Sequence, residues 1–132
     1  MPITISREEI SDMHASCVCL QTRSKARFLT QAYDRILAPS GLKITQFSVL
    51  SVLLAGPLTI GEIADLVDID RTTLARNLMP LQRDGYVTLN GGQDARTRIM
   101  TLTTKGVRAT EQAFKLWKQA QAIYAAPEIA TG

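Results

Sequence analysis

The sequence predicts a mainly α-helical domain carrying one small β-hairpin. Three observations predict it. Apolar residues recur at helical spacing from Ser6 to about Asp84, interrupted by Pro39-Ser40-Gly41 and Gly56-Pro57. After Gly85 the period shortens to that of strands, in Tyr86-Val87-Thr88-Leu89 and Arg98-Ile99-Met100-Thr101-Leu102. Helical spacing then returns for one long segment after Thr103. At 132 residues the chain is the size of one domain. No run approaches the roughly 18 apolar residues of a spanning helix. No basic region followed by an apolar run marks residues 1–11 as a secretory signal. Two cysteines are too few for a secreted disulfide framework. The expectation is a cytoplasmic protein with no membrane partner.

The elements follow from local chemistry. Ser6-Arg7-Glu8-Glu9 has the pattern of a capping box, so a helix starts there and continues or restarts into the next segment. Phe28, Leu29, Ala32, Tyr33, Ile36 and Leu37 form the apolar stripe of a long helix that Gly41 can end in a left-handed conformation. Thr45 is placed to cap the next helix, whose stripe is Phe47, Leu50, Leu53 and Leu54. Thr59-Ile60-Gly61-Glu62 is a second capping box, opening a short helix with Ile60, Ile63, Ala64 and Val67 on one face. Asp70 caps another helix, with Leu74, Leu78 and Leu81 inward and Pro80 expected to bend the axis against the Arg76 carbonyl. Thr103 caps the last helix, which runs to about Ala125 with Ala113, Phe114, Trp117, Ala120 and Tyr124 on its apolar face.

Two short helices joined at Asp68-Ile69-Asp70 make a helix-turn-helix, and the hairpin after them makes a winged version. The net charge is only +3, so its distribution matters more than its size. Residues 60–70 carry Glu62, Asp65, Asp68 and Asp70 without a cation, whereas residues 71–98 carry five arginines and no lysine. In this motif the start of the second helix reaches base edges. Here it offers Arg71, Thr72, Thr73, Arg76 and Asn77, chemically suited to guanine, adenine, thymine methyls and phosphates. Arg96 and Arg98 decorate the hairpin, where an extended arginine can enter a narrow minor groove. Asp94 would hold the wing arginines in place, since a carboxylate facing DNA is repelled. A charged helix face is also compatible with plain solvation.

Residues 15–125 resemble MarR-type winged-helix transcriptional regulators. The resemblance is carried by Gly41-Leu42-Lys43-Ile44-Thr45-Gln46-Phe47, Leu58-Thr59-Ile60-Gly61-Glu62-Ile63-Ala64, Asp70-Arg71-Thr72-Thr73-Leu74, Leu81-Gln82-Arg83-Asp84-Gly85-Tyr86-Val87, Asp94-Ala95-Arg96 and Leu102-Thr103-Thr104-Lys105-Gly106, in that order. It implies a winged helix-turn-helix that forms a homodimer through its terminal helices. Residues 6–41 and 103–126 would be the dimerisation helices, and residues 42–102 the DNA-binding lobe of a single domain spanning 1–132. It implies double-stranded DNA with an inverted-repeat operator as partner, and repression relieved by a small-molecule effector or by thiol oxidation. Arg71, Thr72, Thr73, Arg76 and Asn77 carry over as recognition residues, Arg96 as the wing arginine and Asp94 as its positioning partner. Phe28, Tyr33 and Phe47 would line an effector pocket, or be plain core. Members of the family usually have a further amphipathic helix at the C-terminus. Here Pro127 and a short tail replace it, which shifts the expected dimer interface to the last long helix and to Ile3, Ile5, Ile10 and Met13.

His14, Cys17 and Cys19 cluster in the first helical segment. On a continuous helix Cys17 and Cys19 would point about 200° apart, which disfavours both a shared metal site and a bridge between them within one chain. No cofactor and no metal is expected. Cys19 falls where the organic-hydroperoxide-sensing branch of the family has its reactive cysteine, making Cys19 and Cys17 the redox candidates. The tyrosines that engage the thiol in that branch are replaced by Arg23 and Phe47, and Arg23 puts a cation one turn from Cys19. The alternative for a free cysteine is a small buried hydrophobe. One histidine, no phosphate-binding glycine loop and no nucleophile elbow argue against an enzyme. The competing functions are a winged-helix module that binds protein rather than DNA, and a cysteine-based peroxidase.

Overall fold

A computed structural model describes residues 2–125. The C-terminal tail, Pro127 included, lies outside the described residues. The chain divides into two compact units between Ala32 and Tyr33. No single described helix is long and apolar enough to cross a membrane.

The first unit contains α1 (Arg7–Ser16) and most of α2 (Val18–Leu37). Ser6 caps α1 by accepting the Glu9 N–H at 3.1 Å. The two helices are separate: Cys17 stands between them with extended backbone, φ −67° and ψ 112°. The geometry of a continuous helix therefore does not govern Cys17 and Cys19. His14 Nδ1 lies 3.0 Å from the Ile10 carbonyl, one turn back on its own helix.

The second unit begins at the end of α2. A short 3-10 turn (Ala38–Ser40) and Gly41, at φ 81°, stop that helix as Pro39 and Gly41 require. Helix α3 (Ile44–Ser51) starts two residues earlier than Thr45 capping would place it. Its first N–H groups are satisfied otherwise: the Asp34 carboxylate accepts from Ile44 at 2.7 Å, and Gln46 Oε1 accepts from Lys43 at 3.0 Å. Beyond Ser51 the chain tightens into a 3-10 turn (Val52–Ala55) ending at Gly56. Helix α4 (Ile60–Leu66) has the full capping box, with Thr59 N–H on Glu62 at 2.9 Å and Glu62 N–H on Thr59 at 3.1 Å. Helix α5 (Arg71–Arg83) runs through Pro80.

Strands β2 (Val87–Asn90) and β3 (Ile99–Leu102) form the predicted hairpin, with Val87 opposite Leu102 and Asn90 opposite Ile99. A third strand, β1 (Leu58–Thr59), pairs with the other edge of β3, so the sheet order is β1-β3-β2. Two residues are too few to show a period, and Thr59 doubles as the α4 cap. The sequence pattern therefore displays only the cap. Helix α6 (Thr104–Tyr124) closes the unit. The core is Leu37, Leu42, Val49, Leu50, Ile63, Leu81, Val87, Met100 and Ala113, all nearly or fully buried.

The junction between sheet and α6 is the tightest part of the unit. Thr103 accepts the Gly106 N–H at 3.0 Å and donates its hydroxyl to the Gly85 carbonyl at 2.5 Å. A Cβ on Gly106 would sit 2.0 Å from the Tyr86 carbonyl oxygen, a backbone atom that cannot step aside. Overpacking of this kind costs at least about 1–3 kcal/mol. Gly106→Ala is therefore expected to lower stability by about 2 kcal/mol or more in urea unfolding. A loss below about 0.5 kcal/mol would refute the close approach.

Candidate nucleic-acid interface

Helix α5 presents three different faces. Asp70 caps it, its carboxylate accepting from the Thr73 N–H and the Thr73 hydroxyl, both at 2.8 Å. Those bonds, the backbone one foremost, hold the Asp70 carboxyl below its ordinary range. Leu74 and Leu81 point into the core. Arg71, Thr72 and Arg76 are exposed, as base contact requires, and Met79 continues the ridge they begin. Among the described residues, Arg71, Arg76 and Arg98 have no ion-pair partner. Arg83, one turn beyond Met79, pairs with Asp84 at 3.1 Å.

Asn77 is placed differently from the expectation. It is 9% exposed, and its Nδ2 has no hydrogen-bond partner among the described residues. Helical geometry explains this: a residue five positions after Thr72 lies about 140° around the helix from it, beyond the exposed ridge. Asn77 thus shares a helix with the exposed arginines but not their face.

The wing is a compact loop. Gly91 and Gly92 both have positive φ, and a Cβ on Gly92 would meet the Thr97–Arg98 backbone at 2.6 Å. Asp94 accepts the Thr97 N–H at 3.0 Å, while the Thr97 hydroxyl accepts from the Gln93 N–H at 3.1 Å. The carboxylate therefore shapes the loop through Thr97. It does not hold Arg96, as the sequence had led us to expect. Arg96 instead reaches Asp65 of α4, with its Nη2 3.5 Å from the carboxylate. Its side chain crosses the first turn of α4 so closely that a Cβ on Gly61 would lie 2.8 Å from Arg96 Cγ and Nε. Arg98 is exposed on the same loop, at the edge of a shallow hollow with Gly92 and Asp94.

Gly61, Asp65 and Thr97 are site residues that sequence reasoning missed. Gly61 left a signal, because a glycine inside the first turn of a helix marks a close approach. Asp65 left none, since its partner is 31 positions away.

The three aromatics proposed for an effector pocket are not brought together. Phe47 lines a cleft of about 500 Å³ with Val52, Ile69, Phe114 and Trp117. Phe114 and Trp117 stack there, 5.8 Å between centroids. Tyr33 instead donates its hydroxyl to Gln121 and lies 5.8 Å from the Tyr124 ring, and burial pushes its hydroxyl pKa up. Phe28 belongs to the first unit. In that unit Cys17 is half-buried and Cys19 exposed, both free thiols.

The comparisons bear on this geometry. A family model described as MarR family matches residues 40–97, which span α3, the helix pair and most of the wing. An HTH-type transcriptional regulator of Bacillus subtilis, YwoH, is 30% identical over 93 residues, covering 70% of this chain and 68% of its own length. The chain belongs to the MarR family. Among solved structures, the M. tuberculosis transcriptional regulator MosR in complex with DNA is 44% identical, with a TM-score of 0.73 over 88% of this chain and 90% of the other. Overoxidised AbfR bound to DNA is 26% identical, with a TM-score of 0.67 over 94% and 95% of the two chains. The fold is the winged helix-turn-helix of this family, with a three-stranded sheet where a bare hairpin was expected.

Gly61 makes a direct test of the wing geometry in this MarR-family chain. The atoms a Cβ would meet belong to the Arg96 side chain and not to backbone, so Gly61→Ala should still fold, within about 1 kcal/mol of the parent. Arg96 must then leave its seat. A crystal structure of the variant is expected to show Arg96 Nη2 beyond ion-pair distance of Asp65, and an unmoved Arg96 would refute the seat.

Proposed function

We propose that the chain is a sequence-specific DNA-binding transcriptional regulator, acting as a homodimer on an inverted-repeat operator and most simply as a repressor. The observation that carries this reading is the face of α5: Arg71 and Arg76 stand exposed beside Thr72, without carboxylate partners among the described residues, at the start of the second helix of a helix-turn-helix. Unpaired guanidinium groups on a recognition helix are available for bidentate contacts to guanine or phosphate. Arg96 and Arg98 extend the cationic surface onto the wing. The relatives support the assignment, since MosR and AbfR have been solved with DNA. All of these relatives are named as regulators or by their DNA complexes, and we read the chain as a non-enzyme working without a cofactor in the cytoplasm. The apolar residues Ile10 and Met13, exposed in the single chain, fit terminal helices that pair with a second copy.

Selection from random duplex DNA at physiological salt tests the assignment, because nonspecific phosphate binding is weak there. The expected product is an inverted repeat whose half-sites lie about one helical turn apart. On that operator Arg71→Ala should cost about 1–3 kcal/mol and relax base preference, while Arg96→Ala should weaken binding. No enriched sequence, with both variants unchanged, would favour the protein-binding module.

A second reading concerns release. Cys17 lies at the α1–α2 break with extended backbone, and Cys19 is exposed two residues on. Freed from regular helical geometry, the pair can be oxidised: a hydroperoxide takes two electrons, the thiols lose two protons, and water and an alcohol leave as the disulfide forms. Peroxide is expected to lower operator affinity at least about tenfold in the parent and not in Cys19→Ser, with recovery on adding a thiol reductant. Steady peroxide turnover would instead indicate the peroxidase. An unaffected parent would leave the cleft around Phe47 as the place for a small effector.

A further inference from the structure

Strand β2 of the wing ends on a pair of residues with chemistry of their own. Asn90 is the last residue of β2, and Gly91 opens the loop. Both are exposed. Asn90 pairs with Ile99 across the ladder, whereas the Arg98 carbonyl is turned the other way, to the Ile60 N–H of α4. Neighbouring residues of an antiparallel strand bond to opposite sides, so Asn90 and Ile99 form the bonded pair and the Asn90 carbonyl points to β3. The Gly91 N–H lies trans to that carbonyl in one planar peptide. It therefore points outward, off the free edge of the sheet.

This arrangement leaves a nucleophile and an electrophile unrestrained beside each other. Among the described residues, the Gly91 N–H and the Asn90 side-chain amide both make no hydrogen bond. A Cβ on Gly91 would meet no atom within 4 Å, so nothing shields the nitrogen. Gly91 lies past the last ladder pair, and turning its peptide toward the asparagine side chain costs only the final bond of the ladder. Groups tethered this closely react with the advantage of proximity. Asn77, the other asparagine of the chain, is the contrast: it is 9% exposed, lies inside α5 and is followed by Leu78.

We propose that Asn90–Gly91 is a self-modifying site that adds negative charge to the wing. The Gly91 nitrogen, on losing its proton, attacks Asn90 Cγ. The new C–N bond closes a five-membered succinimide, the Cγ–Nδ2 bond breaks, and the amide leaves as ammonia with that proton. Water then opens the ring at either carbonyl. One opening leaves an aspartyl side chain. The other leaves an isoaspartyl linkage, in which the main chain runs through the former side chain. Water is the sole co-reactant, and nothing is oxidised or reduced. Arg98 is one residue from Ile99, the partner of Asn90, which places the Asn90 and Arg98 backbones about 6 Å apart. A carboxylate at position 90 thus acts on a wing arginine within the roughly 10 Å that dilute salt leaves unscreened. This consequence, unlike the ring chemistry, rests on the DNA-binding reading.

The test ages the full reduced chain at neutral pH and reads both asparagines by peptide mass. Asn90 is expected to exchange NH for O at least about tenfold faster than Asn77. Its rate should rise with pH, because the attacking nitrogen must be deprotonated. An isoaspartyl carboxyl methyltransferase with a labelled methyl donor should mark the aged parent and not aged Asn90→Gln, whose longer side chain needs a six-membered ring. The aged fraction, separated by ion exchange, and the variant Asn90→Asp are expected to bind duplex DNA about twofold to tenfold more weakly than fresh protein. Asn90→Gln should keep its affinity through the same incubation. Conversion at Asn90 no faster than at Asn77 would overturn the proposal. An aged fraction that binds as tightly as fresh protein would overturn its effect on the wing. A fresh chain that binds no duplex while Asn90 converts would remove the DNA reading and leave the modification site standing.

Discussion

Two backbone hydrogen bonds tie the wing to the helix pair. The Ile60 N–H donates to the Arg98 carbonyl at 3.0 Å, and the Gly61 N–H donates to the Arg96 carbonyl at 2.9 Å. Both donors belong to the first turn of α4, where a helix has no internal partners for its N–H groups. The return arm of the wing supplies those partners. The position of Arg96 and Arg98 relative to α4 therefore follows from helix-end chemistry rather than from wing side chains. Strand β1 continues the same attachment, pairing Leu58 with Met100, which is fully buried. The wing base cannot shift without unpairing the start of α4 and uncovering the core together.

Glycines set how close these parts come. Gly61 lets Arg96 lie across α4, and Gly106 lets α6 start against the Tyr86 carbonyl. Gly92 lets the wing loop fold back on Thr97 and Arg98. The candidate site is thus assembled by close backbone approaches around a small apolar core. Its cations can then stay in solvent, where keeping them charged costs little.

How much of this is legible in the sequence depends on the range of the interaction. The helices, the Thr59–Glu62 box, the Asp70 and Thr103 caps and the hairpin all rest on contacts within four residues or on simple periodicity, and apart from the ends of α3 and the break at Cys17 they stand where the sequence places them. Arg71, Thr72 and Arg76 stand exposed because the Leu74–Leu81 stripe fixes the helix orientation. Asn77 was misplaced because polarity alone suggested exposure, while its angular position puts it toward α3. Thr45 lost the α3 cap to Asp34, ten positions upstream of Ile44, and Asp94 lost Arg96 to Asp65. At Thr45 and Asp94 a distant group took the place of the local partner, and distant partners leave no spacing to read. The helix break at Cys17 is a milder case: a second start was foreseen as one option, but no glycine or proline marks it.

The Arg96–Asp65 pair differs in kind from the contacts that build the fold. Both side chains are more than half exposed, and the separation is 3.5 Å. Pairs of this kind contribute about 0–1 kcal/mol and weaken with salt. The attachment of the wing does not depend on it, because the backbone bonds to α4 remain if the guanidinium leaves. Arg96 therefore has a fixed main chain and a weakly held side chain. A narrow minor groove offers a guanidinium a stronger negative potential than one solvated carboxylate can. The same arginine can rest on α4 in the free protein and extend when DNA arrives, with no rearrangement of the sheet beneath it.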